Sequence, residues 1–394
     1  MVSDCCSTAF ALIGNVLIGV AAVWFFKSFC AAIVRAVESR AEDALKLTID
    51  YEGLVRRYEA ACVSYATPNH QFVLYRFDNL NCDSRCKEIA KKDSRYKPSA
   101  GESAMPIDVL AFSAKGIELE IEDHPEKSYV LPRYIEHNFE KVFAAHDKSA
   151  VCNSEVFRVD DARAVGKKLV LETSRTTFFY SLVTNGAIDF QFNSGPTIRD
   201  LFEYNCNLPS LGRSALSNHL GFNVNVITDD DVVVFVLRKG DASVAKRLFC
   251  PAVGASVKTK HAVACPEAKL EFSGIVSAVF ASAKDELALS DDEIKLAKKK
   301  NALSLIAFYR DLVEGGKPQL VFNLCLPVSF KALCNRMANR VNERSQDVHG
   351  AGENALRGVK LNDLHYAYVA PDGIAANVIG QGVQFLPMTP SYVF

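Results

Sequence analysis

Excess charge of either sign is missing from this sequence. Its 394 residues include 45 lysines and arginines and 46 aspartates and glutamates, which leaves a formal net charge of −1. A protein that binds a nucleic-acid polymer through its phosphates usually presents a basic surface. We therefore expect no nucleic-acid polymer as a partner, and an anionic ligand has to be met by a local pocket.

Signals for disulfides and for structural metals are also missing. The twelve cysteines are scattered along a long chain, which favours reduced thiols over the disulfide framework of a small secreted domain. Cys82 and Cys86 form the only close pair after residue 35, and neither a second pair nor a His-x3-His spacing follows them. The sequence therefore predicts no zinc site and no cofactor.

Basic residues are missing from the first eight positions, although a cleavable signal peptide opens with them. From residue 9 to residue 26 the only polar side chain is Asn15, and the apolar run resumes after Lys27. About 20 apolar residues span the hydrocarbon core of a bilayer, so one transmembrane helix is predicted within residues 1–34. A buried apolar helix of a soluble protein is the alternative.

The flanks of this span predict its orientation. Lys27, Arg35 and Arg40 all follow it, and the positive-inside rule then places the N-terminus outside and the rest of the chain in the cytoplasm. Asn15 needs a partner in hydrocarbon. With one span per chain that partner comes from another copy, so Asn15, Gly14 and Gly19 are predicted to form an oligomer interface. Alternatively, Asn15 faces lipid or its own backbone.

The remaining sequence mixes helical and strand patterns without βαβ regularity, which favours an α+β fold. Residues 35–68 keep a helical period and are predicted to form a juxtamembrane helix. Residues 69–167 are predicted to form an α+β subdomain. Within it, residues 107–122 read as a hairpin with Lys115 and Gly116 in the turn.

A second domain is predicted over residues 168–394. Its first long strand is expected at 172–182, and a helix is expected to open at Gly195-Pro196-Thr197. Further along, the patterns predict two strands around an acidic turn at 229–231, a loop at Gly254, a helix over 275–289, more helices through 294–312 and a strand over 319–327.

This order of elements resembles a known fold. The segments 217–240, 250–257, 276–289 and 307–326 are similar to the Nudix fold in the divergent form of UDP-glucose pyrophosphatase-like proteins. In that layout a strand hairpin leads to a glycine loop and the Nudix helix, and a G-K-P-Q/E turn feeds a core strand. The resemblance implies an α/β/α sandwich over residues 168–394.

The catalytic signature of that family is G-x5-E-x7-R-E-U-x-E-E-x-G-U, in which glutamates on one helix face hold Mg²⁺. Aligned with it, this sequence has Ala281 at the arginine and Ser282 at the first glutamate. The other positions carry Asp285 and Glu286 at the acidic pair, Ala288 at the last glycine and Ser273 at the preceding glutamate. The resemblance therefore implies a scaffold that has lost hydrolysis and binds no metal. The alternative for the acidic pair is an ordinary solvated helix face.

A nucleotide pocket remains a prediction on the strand at 172–182. Arg175 supplies a charge for phosphate, Thr176 a hydroxyl, and Phe178 and Tyr180 aromatic faces for a base. The alternative is a core strand with inward aromatics. Arg238, and Lys258 with Lys260, are predicted to complete an anion site, and the alternative for each is an ordinary surface charge. For Asn218 and His219 a turn or cap role is expected.

A membrane helix joined to a degraded Nudix-like domain resembles the transmembrane Nudix effectors of bacterial cyclic-oligonucleotide anti-phage signalling. The resemblance implies a receptor in the bacterial inner membrane, in which a cyclic nucleotide second messenger drives protomers to associate and disrupt the bilayer. Two alternatives stay open. One is a membrane-tethered nucleoside-diphosphate-sugar pyrophosphatase, and the other is a membrane-anchored interaction module without a ligand.

Overall fold

The computed structural model describes residues 71–74, 106–112, 116–146, 152–165, 168–192, 195–203, 208–237, 249–311, 314–344, 356–360, 368–370, 373–379 and 382–385. The predicted transmembrane helix at 1–34, with Gly14, Asn15 and Gly19, lies outside these residues, as does the juxtamembrane helix at 35–68. Among the helices that are described, none combines the length and the apolar character needed to cross a membrane.

Strands and helices alternate along the described chain without a regular pattern, which confirms the mixed α+β class. The strands are β1 (Gln71–Leu74), β2 (Pro106–Phe112), β3 (Glu118–Ser128), β4 (Glu155–Val165), β5 (Lys168–Thr177), β6 (Gly221–Ile227), β7 (Val232–Leu237), β8 (Phe249–Pro251), β9 (Val253–Ser256), β10 (Leu303–Asp311), β11 (Lys317–Cys325), β12 (Leu356–Lys360), β13 (Tyr368–Ala370), β14 (Gly373–Ile379) and β15 (Gly382–Phe385). The helices are α1 (Arg133–His137), α2 (Phe139–Ala145), α3 (Phe178–Val183), α4 (Ile198–Phe202), α5 (Thr259–Ala262), α6 (Phe272–Leu287), α7 (Asp291–Lys299) and α8 (Phe330–Arg344).

The largest sheet has the strand order β1-β2-β10-β11-β6-β7-β12, with β9 added beside β6 and β8 beside β7. Its pairs are antiparallel except for β11 and β6, which run parallel. A second sheet has the order β3-β5-β4, and a third has β13-β14-β15. Strands β3 and β4 come from the predicted subdomain at 69–167, yet both pair with β5 from the predicted domain at 168–394.

Strand β6 separates an apolar face from a polar face. Phe222, Val224 and Val226 point into the main core, which also contains Ile275 and Val279 of helix α6. Burying an aliphatic or aromatic side chain of this size contributes about 1.5–3 kcal/mol. Side chains alternate between the two faces of a strand, so the intervening positions point to the opposite face. They carry no large apolar side chain. On that opposite face, Gly221 and Asn223 line the site described below.

Four predicted elements are confirmed. Thr197 caps helix α4 with its side chain, and Asp200 completes a capping box. The acidic turn at 229–231 joins the paired strands β6 and β7. Helix α6 (Phe272–Leu287) overlaps most of the helix predicted at 275–289, and strand β11 (Lys317–Cys325) overlaps most of the strand predicted at 319–327.

The hairpin predicted at 107–122 is wrong. Strand β2 pairs with β10 and strand β3 pairs with β5, so the two predicted arms belong to different sheets. The backbone N–H of Ile117, between them, donates to the carbonyl of Leu305. Alternating residues around a glycine show that strands are present, but the choice of partner depends on distant segments.

Three other local predictions are also wrong. The strand predicted at 172–182 ends at Thr177, whose hydroxyl accepts a hydrogen bond from the backbone N–H of Tyr180 and starts helix α3. Gly254 lies within strand β9 instead of a loop. The helices predicted through 294–312 stop at Lys299, and the apolar run that follows is strand β10, which is buried along most of its length.

Candidate ligand-binding site

A cavity of about 370 Å³ lies where strands β6, β9 and β11 meet helix α3 and the C-terminal end of helix α6. Its lining includes polar groups from all these elements. The lining side chains and backbone belong to His146, Cys152, Ser154, Phe178, Ser181, Leu182, Gly186, His219, Gly221, Phe222, Asn223, Gly254, Ala255, Ser256, Lys258, Glu286, Glu314, Lys317 and Gln319.

Two glycines create the depth of this cavity. The strand register places Gly221 between Ser256 on one side and Gln319 on the other. A Cβ at position 221 would overlap the carboxamide of Gln319, so that carboxamide occupies the space above the glycine. In the next row, Gly254 lies opposite Asn223. Gly221 thus leaves room for this carboxamide, and Gly254 adds no side chain to the lining.

Gln319 and Asn223 bring amide groups to the cavity floor. Both residues are only 4% exposed. The side-chain N–H of Asn223 donates to the hydroxyl of Tyr309 at 3.4 Å. For the carboxamide of Gln319, no hydrogen-bond partner exists among the residues that the structure describes. Buried polar groups normally find partners, so this amide is available to a ligand or to water.

His219 lies at the side of the cavity between two serine hydroxyls. Its Nδ1 contacts the Oγ of Ser181, and its Nε2 lies 3.0 Å from the Oγ of Ser256. Burial lowers the pKa of His219 well below its usual value, and the positive charge of Lys317 lowers it further. The imidazole is therefore neutral at physiological pH, with one nitrogen a donor and the other an acceptor.

The cavity lining carries equal numbers of positive and negative side chains. Lys258 and Lys317 are opposed by Glu286 and Glu314, so their formal charges cancel. Lys317 is bound to Glu314, with its Nζ at 2.9 Å and 3.1 Å from the two carboxylate oxygens. Lys258 forms no ion pair with any described residue. The cation with freedom to meet an anionic ligand is therefore Lys258.

The structure brings three of the predicted site residues together. Phe178, Lys258 and Glu286 all line the cavity, although the sequence analysis had placed Glu286 in a separate helix motif. Thr176 and Tyr180 do not line it. The hydroxyl of Thr176 is hydrogen-bonded to Ser217, and the ring of Tyr180 packs edge-on against Tyr129.

The predicted phosphate contact of Arg175 is wrong. Its guanidinium is buried and forms a two-point ion pair with the carboxylate of Asp123, also buried. It also donates to the backbone carbonyl of Ala268 at 3.0 Å. These contacts engage both terminal nitrogens, while Nε is buried without a partner among the described residues. Arg175 thus joins elements of the fold. Arg238 lies outside the described residues.

Asp285 and Glu286, the acidic pair aligned with the Nudix signature, lie in the last turn of helix α6. Across the described ranges, no group of three or more histidine, cysteine, aspartate or glutamate side chains is arranged to hold a metal ion. Ala288, aligned with the last glycine of the signature, ends this helix in the left-handed conformation with φ 52°. A glycine is the usual residue at such a C-terminal cap.

Ser181, Ser256 and Gln319 were not predicted from the sequence, and His219 was expected only in a turn or cap. Asn218 fits the expected turn, with φ 46°. A signal for His219 and Ser256 was present in the alternation of polar and glycine residues within apolar strands. It runs through His219, Gly221 and Asn223, and again through Gly254, Ser256 and Lys258.

Comparison of the chain with models of known protein families and with curated proteins finds no match. The Nudix resemblance therefore rests on the order of elements and on the residues of the signature alone.

Proposed function

We propose that this chain is a receptor that binds a nucleotide in the cavity between β6, β9, β11 and α3. The observation that carries the proposal is the buried carboxamide of Gln319, which faces the cavity without a partner among the described residues. An amide donates one hydrogen bond and accepts another, which matches the edge of a nucleobase. A ligand that supplies both satisfies a group whose burial is otherwise unfavourable.

Two other features support a nucleotide. The ring of Phe178 is partly exposed at the cavity and offers an aromatic face for a base. Lys258 supplies one positive charge, and a phosphodiester group carries one negative charge. A lining with no excess charge favours such a singly charged group over a triphosphate.

The size of the cavity bears on the kind of nucleotide. A volume of about 370 Å³ lies near the lower end of the roughly 300–1,000 Å³ typical of ligand sites. It accommodates one nucleotide unit. A cyclic oligonucleotide would extend beyond the cavity and offer its other units to a second protomer, which is how we propose that the ligand promotes oligomerisation.

In this proposal the predicted membrane helix at 1–34 converts assembly into membrane disruption. The ligand must bind the assembled state more tightly than the free protomer, because equal affinity would leave the equilibrium unchanged. Gly14 and Gly19 would allow the helices to approach closely in the bilayer, and Asn15 would find its polar partner on another protomer.

Ligand binding is tested by thermal shift of the full chain in detergent against cyclic dinucleotides, cyclic trinucleotides and mononucleotides. A tight ligand raises the melting temperature by mass action. Lys258→Ala should weaken the affinity about tenfold, the size expected for a charge-assisted hydrogen bond. Lys260→Ala is the matched control, because Lys260 is exposed two residues away and does not line the cavity. Equal affinity in both variants would place the ligand elsewhere.

Turnover separates this receptor from the pyrophosphatase alternative. The chain is incubated with nucleoside-diphosphate sugars and Mg²⁺, and we expect no release of a nucleoside monophosphate. Steady release that Glu286→Gln abolishes would overturn the proposal and favour the enzyme. Failure of every nucleotide to bind would favour an interaction module.

A further inference from the structure

His219 connects two serines that come from different parts of the chain. Ser181 belongs to helix α3, and Ser256 is the last residue of strand β9. The imidazole, with 3% exposure, holds both hydroxyls within hydrogen-bond distance. A third element, the turn before strand β6, positions the histidine itself, because the N–H of Leu220 donates to the carbonyl of Phe157 and fixes the local backbone.

The two hydroxyls differ in their access to the cavity. Both serines line the cavity, but Ser181 is only 3% exposed. Ser256 is only partly buried and lines the cavity. A substrate in the cavity can therefore reach the Oγ of Ser256, while Ser181 is placed to orient the ring. This is the arrangement of a nucleophile, a base and an orienting group.

The protonation state of His219 suits a base. Burial and the charge of Lys317 keep the ring neutral at pH 7, so it has an unprotonated nitrogen. If Nδ1–H donates to the hydroxyl oxygen of Ser181, then Nε2 accepts the hydroxyl proton of Ser256. The charged groups that line the cavity around the ring are Lys258, Glu286 and the paired Lys317 and Glu314.

Gln319 supplies a further part of the constellation. Gly221 pairs with Ser256 of β9 on one side and with Gln319 of β11 on the other. The carboxamide of Gln319 lies over this glycine. A side-chain amide N–H close to the nucleophile is a recognised donor to the oxyanion formed in acyl transfer. The absence of a side chain at Gly221 leaves room for the carboxamide over that glycine.

We propose that Ser256, His219 and Gln319 form an acyl-transfer site that accepts small polar carboxylic esters. The Oγ of Ser256 attacks the ester carbonyl carbon while its proton passes to Nε2 of His219. The carbon–oxygen bond to the alcohol breaks, and the alcohol leaves with that proton. Water, deprotonated by His219, then cleaves the acyl-serine to the carboxylic acid and restores the serine hydroxyl.

The lining favours a carboxylic ester over a phosphodiester. A tetrahedral intermediate of acyl transfer carries one negative charge on one oxygen, which the amide of Gln319 can stabilise. Attack on a phosphodiester builds more negative charge, and the cavity offers no excess of positive charge and, in the described ranges, no metal cluster. This inference does not depend on the nucleotide proposal, since it rests on the contacts of His219 with the two serines and on the position of Gln319.

The full chain is treated with a fluorophosphonate probe, and the modified residue is identified by peptide mass spectrometry. We expect the label on Ser256, and hydrolysis of p-nitrophenyl acetate that Ser256→Ala abolishes. His219→Gln should slow labelling by about 10²-fold or more, the usual contribution of a general base. Ser277→Ala is the control, because Ser277 is exposed on helix α6. No label, or a label on another serine, overturns the proposal even if the His219 variant does not fold.

Ser181 is assigned as a positioning residue. Ser181→Ala should slow labelling and move the acidic limb of its pH profile to lower pH, because the imidazolium loses a hydrogen-bond acceptor. Ser181→Thr should restore both. A slower rate without a shift of the limb would show that Ser181 only packs. Transfer of phosphate from a cyclic nucleotide to Ser256, without ester turnover, would show that the substrate class is wrong.

Discussion

The guanidinium of Arg175 donates two hydrogen bonds to the carboxylate of Asp123, at 2.8 Å and 3.0 Å. Asp123 also accepts from the hydroxyl of Thr173 and from the backbone N–H of Leu270. Burial opposes ionisation of Asp123, but these hydrogen bonds outweigh it and lower its pKa. One ion pair thus joins strands β3 and β5 to the segment that leads into helix α6.

Removal of this arginine should destabilise the fold. Arg175→Ala leaves the Asp123 carboxylate buried without its counter-ion, which typically costs about 3–5 kcal/mol. Arg163 provides the control, because its ion pairs with Glu122 and Glu172 are in the same small sheet but only half-buried. Arg163→Ala should cost under about 1 kcal/mol. Urea denaturation of both variants measures the difference, and similar losses would contradict the buried ion pair.

The buried histidine predicts a stability that falls in mild acid. The pKa of His219 is lower in the folded chain than its ordinary value of 6.5. Below about pH 6.5 the unfolded chain takes up a proton that the folded chain does not, so stability decreases as pH falls, by up to about 1.4 kcal/mol per pH unit. His261 contributes in the same direction, because burial and then Lys260 and Lys258 lower its pKa.

The measurement is the free energy of unfolding between pH 7.5 and pH 5.0. His219→Gln should flatten this dependence more than His261→Gln, because His261 is less buried and Asp285 partly opposes its shift. An unchanged slope in the His219 variant would show that the buried ring does not titrate in this way.

Two glycines should respond to alanine in opposite ways. In Gly274→Ala the new Cβ would overlap the backbone carbonyl of Ala262, which cannot move aside as a side chain can. Helix propensity favours alanine by about 1 kcal/mol. The overlap should outweigh this gain and give a net loss of about 1–3 kcal/mol.

Gly221→Ala should instead leave stability almost unchanged. There the overlap is with the flexible end of Gln319, which can rotate into the cavity. The rotated amide fills the site, so ligand binding and Ser256 labelling should both decrease. Thermal melting and labelling of the two variants check this contrast. Strong destabilisation by Gly221→Ala would show that the Gln319 carboxamide is held rigidly.

The end of helix α6 offers a stabilising change. Ala288 has φ 52° and lies in the left-handed region, where an L-residue with a Cβ costs about 1–2 kcal/mol and glycine does not. Ala288→Gly should therefore raise the free energy of unfolding by about 1 kcal/mol, after the greater freedom of glycine in the unfolded chain is included. A loss of stability would mean that the Ala288 methyl makes compensating contacts.

Much of the local structure was determined by the sequence alone. The α+β class followed from irregular alternation of patterns, helix α4 from the cap at Thr197, and strands β6 and β7 from apolar alternation around the acidic turn. Helix α6 and strand β11 were also predicted from the local sequence pattern. In each case the signal lies within a few residues, because capping, turn formation and one-sided burial are short-range properties.

Only the tertiary structure decided the partners and the site. The sequence could not show that β2 and β3 belong to different sheets, because strand pairing is a long-range choice. From the sequence, Arg175 was interpreted as a cation available to a ligand. In the fold it is paired with Asp123, which is 52 positions away in the chain. Likewise, Ser181, His219 and Ser256 are separated by 38 and 37 positions. They meet because α3, β6 and β9 pack together, and the chemistry of the cavity exists only after that packing is complete.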